Sequence, residues 1–353
     1  VRIGLIEKEP AHTKTAYWFM ALGCCEEVEE ISINIDMVDR YKFFPLTHKK
    51  IVRKPVRVIE DDTTLDFILY GWEYIRREGI PNTKVPCGAI FGGAKRWTFG
   101  GRNKAVIDKC DVIFKMACPE DLEVFLSNEG KPERFRSSKN LLDRSQIDKI
   151  RPLMFIGSWT VDYPDVEYNF SIPLSFYGSP TSLNRMKAVD ILKRKYGKKF
   201  IGGFINRKLA KCDEFGNDVS DEDPIAKAYL IKTIRRKDYL LLMKKTIVNV
   251  CPSGLGNSSH RFVDILCMGG FCLTTTLQGL DYGFLAPSLG IHYIEYEEDC
   301  SDLVDKVEYY LSKPEEAKSM GSEARKFMKR TYLKPDRMAR EYILKEFSSA
   351  KEN

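Results

Sequence analysis

The sequence predicts an α/β protein of two lobes, each built on a parallel sheet with helices on both faces. Its 353 residues exceed what one hydrophobic core usually organises, and two domains of roughly 150 residues or more are the common solution. Short β-rich runs alternate with helical stretches in both halves, the pattern of crossover-connected parallel strands. Between the halves, from Gly130 to about Asp165, periodicity fails, and Pro152, Pro164 and Pro173 interrupt the chain. The expected division is an N-terminal domain over 1–150, a connection over 151–171, a second domain over 172–333 and a terminal helix over 334–353.

In the first half, strands are expected at Ile3–Ile6, Ile31–Ile35, Asp66–Tyr70, Val85–Phe91 and Val112–Met116, each a short run rich in residues that fit a pleated surface. Helices lie between them, as at Lys14–Leu22, and another is expected at Pro119–Leu126. Gly92-Gly93 and Gly100-Gly101 bracket a loop carrying Lys95, Arg96, Trp97 and Arg102, which either faces a ligand or turns the chain. The second half restarts with strand Ile172–Tyr177, loop Gly178–Ser182 and helix Asn184–Tyr196, whose Val189, Leu192 and Tyr196 share a face and which Gly197 ends. Strand Phe200–Phe204 follows. A further unit runs from strand Thr246–Cys251 through Pro252–Asn257 to helix Ser258–Met268 and strand Phe271–Thr275, the length of one crossover. Strand His292–Tyr296 and three helices close the chain, the last with Pro335 in its first turn and Met338, Tyr342, Ile343 and Phe347 on one face.

Composition narrows the function classes. Hydrophobic residues are 43% and aromatics 12%, so the chain folds rather than remaining disordered. A net charge of +6 from 56 basic and 50 acidic residues suits an anionic small ligand and falls short of a nucleic-acid stripe. Ten cysteines without a CxxC pair fit free thiols in a reducing compartment, and no run approaches the roughly 20 apolar residues of a membrane span. The chain starts on a strand without a signal-like segment, and cytoplasmic residence is the expectation.

The stretch Asn249–Gly270 carries the chemistry. Gly254 and Gly256 remove the Cβ atoms that keep a ligand from the backbone, and the first amides of the helix that follows have no internal partners, which favours a diphosphate. Asn257 lies in that loop, Ser258 and Ser259 add hydroxyl donors, and Arg261 adds a permanent charge whose fork matches phosphate oxygens. Phe262, Ile265, Leu266 and Gly269 form a buried stripe that turns Arg261 and Asp264 to its edge, where Asp264 accepts hydrogen bonds from ribose hydroxyls. The plainer reading makes Ser258 an N-cap and Arg261 a surface residue. Two glycines and an arginine together favour ligand binding. Tyr229 and Tyr239, near Arg235 and Arg236, bind a base or sugar or simply pack, and packing is the stronger expectation.

This segment resembles the donor-binding signature of GT-B glycosyltransferases in the form shared by the exostosin and protein O-glucosyltransferase families. Ser259-His260-Arg261 and Gly269-Gly270-Phe271-Cys272-Leu273 match their S-x-R element and helix-ending glycine in order. Upstream, Gly178-Ser179-Pro180-Thr181-Ser182 with Arg185 is similar to the Gly-Ser-x-Thr-Ser…Arg element of the O-glucosyltransferases, and the likeness covers roughly Ile172 to Phe347. It implies two Rossmann-like domains with parallel sheets facing across a cleft, a terminal helix returning to the first domain, and a nucleotide-sugar co-substrate, UDP-linked by preference. Gly178, Ser179, Thr181, Ser182 and Arg185 then join the donor site, and a glycan, glycoprotein or other hydroxyl compound is the acceptor.

Retaining members carry paired glutamates across this loop and helix, whereas the matching positions here are Gly256 and Asp264. Inverting displacement is therefore expected, with Arg261 and its neighbours stabilising the departing diphosphate and no cofactor or metal required. The base belongs at the carboxyl ends of strands in the first domain, where Glu9 and His12 lie, with Asp39 and Asp62 next. Metal binding through His260 and His292 lacks a third ligand. Competing classes are a phage-type DNA-base glycosyltransferase, which needs a stronger basic face, and a nicotinamide-dependent oxidoreductase, which needs a GxGxxG after an early strand. A non-catalytic sugar-nucleotide binder is the third.

Overall fold

Ile3, Leu5, Ile31, Ile33, Phe67 and Leu69 are almost wholly buried, and their strands lie side by side because both faces of the sheet are covered. In the computed structural model the described residues are 1–7, 16–33, 56–58, 64–91, 103–116, 118–129, 131, 133, 136, 141–153, 163–205, 223–254, 259–277, 280–283 and 285–352. They fall into two units: Val1–Val161 with Leu280–Leu285 and Lys334–Asn353, and Asp162–Gly279 with Ala286–Leu333.

The first unit contains strands β1 (Arg2–Ile6), β2 (Glu30–Ile33), β3 (Val56–Val58), β4 (Phe67–Tyr70), β5 (Cys87–Phe91), β6 (Val112–Met116), β7 (Cys118–Pro119) and β8 (Ile150–Leu153). Among the described residues, seven of them form a sheet in the order β3-β2-β1-β4-β5-β6-β8, every pair parallel. Helices α1 (Ala16–Cys24), α2 (Trp72–Glu78) and α3 (Asn103–Lys109) supply crossovers. The helix expected at Pro119–Leu126 is instead β7 followed by a 3-10 turn at Leu122–Phe125, capped by Asp121 and closed over the buried Phe125. The segment read as connection also carries structure. Helix α4 (Arg144–Ile147) starts on a capping box between Asp143 and Gln146, and β8 adds the seventh strand. Pro152 is tolerated there because β8 is the sheet's edge.

The second unit contains β9 (Ile172–Gly178), α5 (Leu183–Tyr196), β10 (Phe200–Ile205), α6 (Pro224–Ala228), β11 (Leu230–Ile231), α7 (Arg236–Lys245) and β12 (Thr246–Cys251). After them come α8 (His260–Met268), β13 (Cys272–Thr275), β15 (Ile294–Tyr296), α9 (Leu303–Ser312) and α10 (Pro314–Arg330), with β14 (Leu280–Asp281) interposed in the chain but belonging to the first unit. Its parallel sheet runs β11-β10-β9-β12-β13-β15. The β14 pair of residues leaves this sheet and lies antiparallel to β7, within the first unit. The core packs Leu174, Phe176, Val189, Leu192, Val248 and Leu273 between sheet and helices. Gly269 ends α8 in the left-handed conformation, at φ 77°, where a side chain would be strained.

The last segment comprises α11 (Pro335–Ala339), a π-helical stretch at Arg340–Leu344 and α12 (Lys345–Glu352). Its Phe347 ring stacks on Phe67 at 3.9 Å, and Tyr342 donates to the Tyr282 carbonyl at 2.7 Å, so it groups with the first unit. No helix of the described residues is long and apolar enough to cross a membrane.

Candidate donor site in the second unit

From β9 the chain adds β10 and β11 on one side of the sheet and β12, β13 and β15 on the other. The switch point therefore lies between β9 and β12, and open parallel sheets bind ligands at the carboxyl ends of such strands. The loops that emerge there are Gly178–Ser182 and the one beginning at Pro252, the two segments singled out in the sequence.

Paired register between β9 and β12 ends at Asn249↔Ser175. Beyond it, Arg261 reaches from α8 to the strand carbonyls: its Nε donates to Val250 O at 2.8 Å and its Nη2 to Ser175 O at 3.0 Å. The residue is only 5% exposed, and its Nη1 is buried without a hydrogen-bond partner. An unmet guanidinium donor in a low-dielectric setting is costly unless a ligand or water answers it. The sequence reading put Arg261 on the helix edge. It lies instead beneath the loops, because the apolar stripe extends round almost the whole of α8 and only His260 is exposed.

Arg185 ties the two loops together. Its Nε and Nη2 donate to Pro252 O at 3.2 and 2.9 Å, and its Nη1 donates to Ser179 O at 2.9 Å and Thr181 Oγ1 at 2.7 Å. All three nitrogens are engaged, so Arg185 organises the loops more than it awaits a ligand. Gly254 packs directly on this group: a Cβ there would sit 2.5 Å from Arg185 Nη2 and 2.8 Å from Thr181 Oγ1. Ser182 caps α5 by accepting from Arg185 N at 3.1 Å and donates to Ser253 O at 2.8 Å, a second link between the loops.

Ser259, rather than Ser258, caps α8, accepting from Phe262 N at 3.3 Å, and the helix begins at His260. Ser259 Oγ also lies 3.4 Å from Cys251 Sγ. Burial opposes ionisation of that thiol, but hydrogen bonds from Cys272 and Ser259 and the charges of Arg261 and Arg185 pull it below the ordinary thiol range. Gly178 ends β9 and Ser179 follows it, its carbonyl also accepting from Thr181 N at 2.9 Å. Gly256, Asn257 and Ser258 lie outside the described residues, as do Glu9, His12, Asp39 and Asp62.

Asp264 is a correction. It is 1% exposed and accepts from Arg236 Nη1 and Nη2 at 2.5 and 2.6 Å and from Tyr163 O–H at 2.7 Å. Both oxygens are committed to an internal ion pair, so the carboxylate is not open to ribose hydroxyls. Burial works against the charge on Arg236, and Asp264 more than offsets it, raising the guanidinium's pKa. The missed signal was Arg236 itself, an arginine that opens the helix before β12 and stays 42% exposed while it holds the buried carboxylate.

In the first unit the strand order reverses between β1 and β4. Glu7, directly after β1, is fully buried there and accepts from Tyr74 N at 2.8 Å. Among the described residues, no three His, Cys, Asp or Glu side chains group as metal ligands. The described cysteines are free. A groove of about 500 Å³ beside β15, lined by Thr276, Glu295, Lys306 and Tyr309 among others, includes none of the loop residues above.

Residues 188–342 match the model of the family described as glycosyl transferase-like. No curated protein matches the chain in sequence. Among solved structures, HepE from Anabaena in complex with UDP and glucose superposes with a TM-score of 0.55 at 10% identity, covering 98% of this chain and 99% of that one. Sucrose-phosphate synthase from Thermosynechococcus elongatus superposes at 0.56 with 11% identity, covering 100% of both chains. A mutant of S. aureus TarM, in complex with Fondaparinux, alpha-GlcNAc-glycerol and UDP, superposes at 0.50 with 10% identity over 81% of this chain. The chain spans only 55% of TarM's length. Two parallel-sheet α/β units and these superpositions define the fold as GT-B. The segment similar to the glycosyl transferase-like family, 188–342, begins inside α5 of the second unit.

Proposed function

We propose that this protein transfers a sugar from a nucleoside-diphosphate donor, UDP-linked by preference, to an acceptor hydroxyl. The observation that carries the reading is Arg261: two of its nitrogens are spent on strand carbonyls at the sheet's switch point, and Nη1 is left buried and unmet. A diphosphate oxygen supplies the missing acceptor, with the loop amides around Gly254 and the start of α8 adding donors. HepE and TarM, whose structures hold UDP, support the choice of nucleotide.

In the inverting reaction, the acceptor oxygen attacks the anomeric carbon on the face opposite the diphosphate. The bond from that carbon to the β-phosphate oxygen breaks, and its electron pair leaves with the diphosphate, whose charge Arg261 and the loop donors stabilise. A base takes the acceptor proton, and Glu9 and His12 are the candidates from the first unit. The internal pairing of Asp264 supports inversion, because a carboxylate held by Arg236 and Tyr163 is a poor nucleophile. Donor charge is met by guanidinium and amide groups in this scheme, which makes it metal-independent.

A thermal-shift series with UDP, GDP, ADP, CMP and their sugars tests the donor class, since a ligand favouring the folded state raises the midpoint. UDP and at least one UDP-sugar are expected to raise it, with EDTA making no difference. No shift with any nucleotide would sink the reading.

A further inference from the structure

Behind Arg261, three guanidinium groups alternate with three aromatic rings. Arg185 Cζ lies 5.7 Å and Arg261 Cζ 5.5 Å from the Phe176 centroid. Arg261 and Arg236 lie 5.8 and 5.7 Å from the Tyr239 centroid, and Arg236 lies 5.9 Å from that of Tyr163. The row ends on Asp264, which binds both Arg236 and Tyr163. Tyr239 stands three residues after Arg236 on α7, so both project from one face of that helix.

The electrostatics of this row are unbalanced. Three permanent cations share one described carboxylate, and that carboxylate is closed by Arg236 and Tyr163. Arg185 spends its donors on the loops. Arg261 therefore keeps its charge unneutralised by any acid in the row, and besides two carbonyls its guanidinium has the rings of Phe176 and Tyr239 and the Tyr239 hydroxyl. Two carbonyl bonds fix Nε and Nη2. Rings against the guanidinium restrict tilting of its plane, which sets where Nη1 points.

We infer that Tyr239 is a positioning residue for Arg261: its ring, held by the Arg236–Asp264–Tyr163 cluster, fixes the Arg261 guanidinium so that Nη1 is presented to the donor diphosphate. This rests on the nucleotide-sugar reading for the ligand, but not for the restraint itself. The ring is the part that acts on the plane of the guanidinium; the phenolic hydroxyl, which also hydrogen-bonds Arg261, is removed in Tyr239→Phe to separate the two.

Two measurements on the full chain test it. Nitrogen-15 guanidinium spectra, with Arg261 assigned by its loss in Arg261→Lys, report the restraint without ligand. Calorimetric titration with UDP reports its consequence. In wild type and Tyr239→Phe, the Arg261 Nη signals are expected to be separate and UDP affinity to agree within about twofold. In Tyr239→Leu they are expected to merge, with affinity about five- to tenfold weaker at unchanged circular dichroism. Separate signals and undiminished affinity in Tyr239→Leu would overturn the proposal. If that variant does not fold, Tyr239→Met decides by the same two readouts. A wild type that binds no UDP refutes the donor reading instead, and the spectra still decide whether Tyr239 restrains Arg261.

Discussion

At the scale of single residues, the site is defined by which donors are already spent. Every guanidinium nitrogen of Arg185 has a partner and one of Arg261 has none, so two arginines that the sequence analysis both placed in the donor site separate into a loop organiser and a ligand contact. Arg261→Ala is expected to weaken UDP binding by about 1.5–3 kcal/mol, the worth of a charge-assisted hydrogen bond, and calorimetry checks it. Equal affinity would remove Arg261 from the site. Gly254→Ala places a methyl where Arg185 Nη2 and Thr181 Oγ1 now lie, so both loops must shift. Reduced UDP affinity with a modest fall in Tm is expected, and full retention of both would show that the loops yield freely. Lys115 makes a different kind of claim. It is fully buried on β6, and burial pulls its ammonium down to about 8. Between that value and the ordinary lysine range the unfolded chain binds more protons, so stability rises with pH there. Below it, the full cost of burying the charge, about 3 kcal/mol, is present. Lys115→Met is thus expected to stabilise the protein more at pH 7 than at pH 10.5, as urea melts at the two pH values would reveal.

Elements place those residues. Helix α8 starts at His260, two residues later than the expected Ser258, with Ser259 as the cap that meets Phe262 N, and this register turns Arg261 toward the strand carbonyls and Asp264 toward Arg236. A periodicity argument finds the stripe of Phe262, Ile265 and Leu266 but cannot see that α7 covers the supposedly open edge. Helix α5 is tied to the neighbouring loop by its cap. Ser182→Ala removes a bond to Arg185 N and another to Ser253 O, and a loss of about 1–2 kcal/mol in chemical denaturation is expected, together with weaker UDP binding. Stability lost without any change in binding would make Ser182 a cap alone. The 3-10 turn and β8 escaped the sequence reading for a plain reason: at four residues each, they are too short to show a period, and their signals were an aspartate cap and an edge proline.

At the scale of the molecule, the chain returns to its first unit twice, at Leu280–Leu285 and from Lys334 onward. The returning helix is held by Phe347 against Phe67 and by Tyr342 on Tyr282 and Leu285. Phe347→Ala is expected to cost about 3–4 kcal/mol, seen as a lower unfolding midpoint, and an unchanged midpoint would mean the helix contributes little to the unit. What the residues alone determined was the fold class, most strand positions and the two glycine-bearing loops, since side-chain periodicity and turn chemistry are local properties. What only tertiary structure decided was the fate of each polar group. Whether Asp264 meets ribose or Arg236, and whether Arg261 lies at an edge or beneath a loop with one nitrogen unmet, depends on which distant helix packs alongside. Burial and hydrogen-bond satisfaction are set by neighbours far away in sequence, and no local pattern encodes them.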